Sequence, residues 1–192
     1  MKSKTLVFLT LALTACGSED GAQRADAAPR YDPIAQQAPP GPMMHGRNGP
    51  GLMCLTGDGP LGDSVKAGVE RALADEWRAD DTYTSLAATF GRPFQRLERA
   101  EERHADLLVR LLATHGHGVP SRSAPVAPAA ASAADACALA LEAEKENVAL
   151  YDELLAAGPP DDVRCVYEHL RSLSQERHIP ALERCGGGPP GP

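Results

Sequence analysis

FQRLERAEERHADLLVRLLATH, residues Phe94 to His115, is the stretch on which the reading of this chain turns. In steps of three and four, one face of a helix over it carries Phe94, Leu97, Glu101, His104, Leu108 and Leu111. A carboxylate and an imidazole therefore occupy two successive inward positions, with apolar residues on both sides. Buried without partners, these groups would cost several kcal/mol, so something must satisfy them. Residues three apart share a helix face, and Glu101-Glu-Arg-His104 thus offers an oxygen and a nitrogen to one point in space. The charged run Glu98–Asp106 around them reads otherwise as a solvated face.

Working outward, three more helices follow from the same periodicity. The first is predicted over Leu61–Phe90 and is stopped by Gly91-Arg92-Pro93. Its inward face reads Val69, Leu73, Glu76, Asp80, Tyr83, Ala87, Phe90. The second, Phe94–His115, ends in Gly116-His117-Gly118. Val119–Ala134, rich in Pro, Ser and Ala, is a connection. The third spans Asp135–Ala157 with Asp135 as N-cap, faces inward with Cys137, Leu141, Glu144, Val148, Tyr151 and Leu155, and stops at Gly158-Pro159-Pro160. The fourth spans Asp161–Arg184, with Asp161 and Asp162 suited to its N-terminus. Its stripe is Val163, Tyr167, Leu170, Ser174, His178, Leu182, and Pro180 predicts a kink or an early end.

Each helix aims a ligand-type side chain inward near its middle. The set is Glu76, Glu101, His104, Glu144 and His178. Bundles that hold two iron or manganese ions use a Glu from each of two helices and Glu-x-x-His from each of the other two. Carboxylate with imidazole suits Fe(II), Mn(II) or Zn(II). Here one carboxylate is missing, because Gln175 stands three residues before His178, between Ser174 and Glu176. Gln175 could bind weakly or place a water, Asp80 or Asp81 could supply the oxygen, or the site could take a single ion or zinc. Against all of these stands chance: Glu70, Glu98, Glu102, Glu142 and Glu146 lie nearby, and some Glu would fall on any chosen stripe. A histidine such as His178 can equally be a hydrogen-bonded core residue. His115 and His117 read as solvated or as C-terminal caps, and His169 as exposed. Tyr83 and Tyr151 are assigned to core packing, with a hydrogen bond to a ligand carboxylate as the alternative.

The remainder of the 192 residues gives the setting. Lys2 and Lys4 precede an apolar run, Thr5–Ala15, too short to span a bilayer as a helix. It closes on Leu13-Thr14-Ala15-Cys16, which resembles the lipobox of bacterial lipoproteins. The expectation is a signal peptide over 1–15, a lipid on Cys16, and an exported chain anchored to the cell envelope. Gly17 after the Cys favours the outer membrane where a cell has two. Cleavage would take the net charge from −7 to −9 by removing two lysines. Residues 16–60, dominated by Ala, Pro, Gly, Gln and Asp, read as a disordered tether, and 186–192 as a loose tail. Met43-Met44-His45 within that tether does not amount to a copper site. Gly (18) and Pro (17) fall mostly outside the periodic segments, so the ordered domain is placed at 61–185. Aromatics at 4% leave a core of Leu, Val and Ala, which favours helices. The acidic balance, with no Lys/Arg-rich run, argues against nucleic acid as a partner. P-loop, GxGxxG, CxxC and GxSxG motifs are absent from the sequence.

Taken together, Glu76-Trp-Arg-Ala-Asp-Asp81-Thr-Tyr83, Phe94 through Glu101-Glu-Arg-His104, Glu144 to Tyr151, and Asp162-Val-Arg-Cys-Val-Tyr167-Glu with His178 resemble the ferritin-like superfamily. Within it the match is to prokaryotic exported proteins grouped as a ferritin-like domain of unknown function, over roughly residues 65–183. The resemblance implies an all-α four-helix bundle with a long crossover between helices two and three and a dimetal-type pocket. It implies no known reaction. With Cys16 lipidated, Cys54, Cys137, Cys165 and Cys185 remain, and three pairings are open. A ferritin-type crossover puts the starts of helices one and four at one end, pairing Cys54 with Cys165 and Cys137 with Cys185. An up-down-up-down bundle would leave Cys165 alone at one end. The functional expectation is a membrane-tethered protein binding one or two ions of iron or manganese, with zinc as an alternative. Di-iron or di-manganese oxidation chemistry on peroxide or O₂ is the first reading. A non-catalytic metal-binding module and a structural or interaction bundle with a degenerate site are the other two. No catalytic residue is assigned beyond the metal ligands.

Overall fold

The computed structural model describes residues 50–126 and 128–185, which are helical with no strand among them. The expected signal peptide, Cys16, the expected tether up to residue 49 and the tail from 186 lie outside the described residues. Four long helical stretches form the bundle: α1 (Asp63–Phe90), α2 (Phe94–Thr114), α3 (Ala133–Ala156) and α4 (Asp161–Leu173). The last continues through a π turn, Ser174–His178, into α5 (Ile179–Cys185). No helix among the described residues is long and apolar enough to cross a membrane.

Local chemistry sets the boundaries. Gly91, at φ 68°, ends α1 and turns the chain into Pro93 and α2. α3 begins two residues earlier than expected. Ser132, and not Asp135, is its cap, and its hydroxyl accepts the Asp135 N–H at 3.1 Å. The fourth helix does not break at Pro180. The π turn lies directly upstream, and the Ile179 N–H reaches back five residues to the Ser174 carbonyl.

Side-chain pairs fix the helix directions. The short α1–α2 and α3–α4 links make two antiparallel hairpins. Arg71 near the start of α1 pairs with Glu153 near the end of α3, while Tyr83 further along α1 meets Glu144 earlier in α3. α1 and α3 are thus antiparallel, and α2 and α3 run the same way. The segment between those two travels along the bundle. Arg122 bonds the Trp77 carbonyl, Asp80 and Asp81 of α1, and Ala130 packs against the far core.

The core falls into two apolar clusters with a polar layer between them. One, around Val69, Leu73, Leu108, Leu111, Tyr151 and Tyr167, lies at the end where α1 and α4 begin. The other, around Tyr83, Leu86, Phe94, Leu97, Ala140 and Leu182, lies at the opposite end. At about 1.5–3 kcal/mol per fully buried large side chain, these clusters supply the folding drive that the polar layer cannot. A disulfide closes each end, Cys54–Cys165 at the first and Cys137–Cys185 at the second.

The tether ends sooner than the composition suggested. Pro50–Cys54 forms a short 3₁₀ helix, and Cys54 and Leu61 are buried. The histidines expected at the end of α2 are not free caps. His115 is buried, with Nδ1 2.7 Å from the Gly59 carbonyl and Nε2 2.7 Å from the Asp162 carboxylate. The His117 Nε2 accepts the Leu61 N–H at 2.9 Å. Together they pin residues 57–61 to α2 and α4. At Gly57 a β-carbon would sit 2.1 Å from the Asp162 carboxylate, so glycine is required by the close approach.

Candidate metal centre

The polar layer between the two apolar clusters is built from Glu76, Glu101, His104, Glu144 and His178, all buried. They come from α1, α2, α3 and the π turn. The sequence placed these five on inward faces, and the structure brings all five together. Two groups form, Glu76–Glu101–His104 and Glu101–Glu144–His178, with Glu101 common to both. Within each, one ligand atom per residue lies within 4.8 Å of the others, so each group could hold a metal ion.

Glu101 is the hinge of the arrangement. Its Oε2 is 2.7 Å from His104 Nδ1 and its Oε1 is 3.0 Å from His178 Nδ1. The second approach is out of line for a hydrogen bond, and Oε1 is a buried oxygen without a hydrogen-bond partner. On either side, Glu76 Oε2 lies 3.3 Å from His104 Nδ1 and Glu144 Oε2 lies 3.3 Å from His178 Nδ1. Both imidazoles thus direct Nδ1 at carboxylates, and their rings stack 5.3 Å apart.

The outer carboxylate oxygens are held by tyrosines. The Tyr151 hydroxyl donates to Glu76 Oε1 at 2.5 Å, and the Tyr83 hydroxyl donates to Glu144 Oε1 at 2.6 Å. Both were assigned to packing, and both are also orienting donors. Each holds one oxygen of a carboxylate, leaves the other facing an imidazole, and so fixes the carboxylate's orientation. The two halves are alike: Glu-x₆-Tyr occurs on α1 at 76–83 and on α3 at 144–151, each hydroxyl reaching the other helix's glutamate.

Asn147 and Ser174 were missed as site residues. The Asn147 amide donates to Glu76 Oε1 at 3.2 Å and to Asp75 at 2.9 Å, and its carbonyl accepts from Ser174 Oγ at 2.9 Å. Both are buried. Where a fourth carboxylate was sought, the structure puts this Ser–Asn pair. Gln175 is exposed, with its side-chain carbonyl bound to Arg171 at 2.6 Å. Asp80 and Asp81 pair with Arg122 on the surface. Neither they nor Gln175 completes the set. His169 is half-buried and lines a groove beside His104 and His178.

Electrostatics follow from burial and proximity. Burial opposes charge on His104, yet Glu101 and Glu76 outweigh it and lift the imidazole to about 10. His178 is lifted to about 9 against burial by Glu101 and Glu144. Glu101, despite burial, is held below the usual carboxylate range by the two imidazoles, whereas burial raises Glu76. Burial, with a carboxylate alongside, pushes the Tyr83 and Tyr151 hydroxyls well above the ordinary phenol range, so they remain donors.

The donor set fits a divalent ion. Three carboxylates and two imidazoles offer the oxygen and nitrogen donors that such an ion takes, and an ion there would give Glu101 Oε1 a partner. The fold and site define an all-helical bundle with a buried Glu/His cluster able to hold a metal ion. No family model matches this chain, and no curated protein matches it.

Proposed function

We propose that this is a ferritin-like metal-binding protein, exported and held at the cell envelope by a lipid on Cys16. The observation that carries the reading is the convergence of three carboxylates and two Nδ1 atoms in one buried layer, with an oxygen of the shared Glu101 lacking a hydrogen-bond partner. The parallel course of α2 and α3, with a connection running along α1, supports a ferritin-type crossover. Two disulfides suit an oxidising compartment and so support export.

Iron or manganese is the metal proposed, with zinc as the redox-silent alternative. A redox-active ion would supply electron transfer to a small oxidant, peroxide or O₂. Glu76 and Glu144 would serve as terminal or bridging carboxylates, Glu101 would be shared between the two groups, and His104 and His178 would supply terminal nitrogens. Tyr83 and Tyr151 orient the Glu144 and Glu76 carboxylates through their outer oxygens. The apolar clusters cover the layer above and below, and a groove beside His104 and His178 approaches it from the side.

A second reading has its own support. The His104–Glu101 contact at 2.7 Å shows that the groups can neutralise one another, which suits a structural bundle with no metal. Metal analysis after reloading with Fe(II), Mn(II) or Zn(II) separates the two. Bound ions favour the first reading, and an intact helical fold with none favours the second. Peroxide turnover by the loaded protein then distinguishes an oxidoreductase from a non-catalytic metal-binding module. Lipidation is tested by incorporation of radiolabelled palmitate, lost in Cys16→Ser.

A further inference from the structure

A groove of about 500 Å³ lies between α2 and the α4–π segment, and His104 and His178 of the polar layer form part of its wall. That volume is in the range of small-molecule sites. Outside the polar layer its charged lining is Arg103, Arg110 and Arg177 against one acid, Asp106, while burial and the nearby His104 and Arg177 hold the His169 imidazole below its ordinary value. Arg103 and Arg177 are exposed and make no ion pair among the described residues. The apolar lining, Leu52, Leu107, Leu170 and Leu173, runs alongside.

The groove is held in shape. Gly51 approaches so closely that a β-carbon there would meet Leu107 Cδ2 at 2.6 Å and His169 Cδ2 at 2.8 Å. The Cys54–Cys165 disulfide ties this segment to α4. A wall fixed before binding does not have to be ordered on binding.

We infer that the groove between α2 and α4 is a binding site for a small amphipathic anion, with its oxyanion head at Arg103 and Arg177 and its apolar body along the leucines. Guanidinium is suited to this task because its planar fork matches a carboxylate or phosphate group. The pocket on the other face of the polar layer is far smaller. At about 20 Å³, bordered by Ala79, Thr82 and Ala143, it admits no more than a water-sized molecule. The inference stands on the groove's own lining and does not require a metal ion in the layer.

Octanoate is the probe, titrated calorimetrically into the EDTA-treated full chain, with ¹⁵N amide shifts to locate it. Saturable binding is expected, with shifts concentrated in residues 100–110 and 169–178. Octanol and inorganic phosphate should each bind at least about tenfold more weakly, since each lacks one half of the recognition. The double variant Arg103→Glu/Arg177→Glu should lose about tenfold or more, and Arg99→Glu, an exposed position outside the groove, should bind as the unaltered chain does. Because none of these arginines is buried, folding is retained, and helical circular dichroism checks it. Octanoate binding that survives the double reversal, octanol or phosphate binding as tight as octanoate, or shifts located elsewhere would each overturn the proposal.

Discussion

At the scale of single residues, the candidate centre depends on which atom of each side chain is already engaged. Tyr151 and Tyr83 occupy the outer oxygens of Glu76 and Glu144 and leave the inner oxygens for the imidazoles or for an ion. Tyr83→Phe and Tyr151→Phe should each retain the metal stoichiometry but weaken affinity by about 10–100-fold in chelator competition. Unchanged affinity would return both tyrosines to packing alone. The imidazoles give a pH prediction. Their folded values, about 10 for His104 and about 9 for His178, lie above the ordinary 6.5. The folded state therefore holds these protons more tightly than the unfolded chain does. The stabilisation is complete below about pH 6.5 and is lost as pH rises through about 9 to 10. Melting temperatures of EDTA-treated protein should fall across that window, and a flat or rising profile would contradict the assignment. Metal affinity should rise over the same window, because an ion must displace those protons.

At the scale of elements, the sequence disclosed which stripe faces inward more securely than it disclosed the phase of each stripe. On α2 the apolar ends and the Glu101/His104 pair left one solution, and every stripe residue is buried. On α3 the expected steps led to Val148 and Leu155. The helix instead buries Asn147 and Leu154, so the Asn147 link was passed over by one residue. On the fourth helix the stripe advances by four three times running, through Leu170, Ser174, His178 and Leu182. An α-helix cannot hold one face at that spacing, and the mean of four residues per turn is the imprint of the π turn. Counting back three from His178 assumed α geometry and landed on Gln175. With the extra residue of the π turn, the inward partner is Ser174. Gln175→Glu should therefore leave both metal stoichiometry and affinity unchanged to within about twofold, as for other surface substitutions. A gain of an ion would show that position 175 does reach the centre.

At the scale of the whole molecule, a layer of five ionisable side chains costs stability, and two apolar clusters and two disulfides offset that cost. The disulfides sit at opposite ends, so neither substitutes for the other. Cys54→Ser/Cys165→Ser should lower stability by roughly 2–4 kcal/mol in urea unfolding and should free the 50–54 segment from α4. An unchanged midpoint would place the constraint elsewhere. The helix order and the five polar residues were legible because periodicity acts over the length of each helix, whereas the cysteines left three pairings open and the observed two followed only from the crossover that the resemblance implied. The Ser–Asn pair and the tyrosine donors were not legible, because they depend on how neighbouring helices are rotated against each other. The layer between the two clusters is proposed to hold metal, with Glu101 shared by both positions. Metal analysis of the purified chain and of Glu101→Gln, each reloaded with Mn(II), Fe(II) or Zn(II) and each checked for helical content, decides this. One or two ions per chain, lost in the folded variant, is the predicted result. No ion in the folded unaltered chain, or the same stoichiometry in Glu101→Gln, would contradict it.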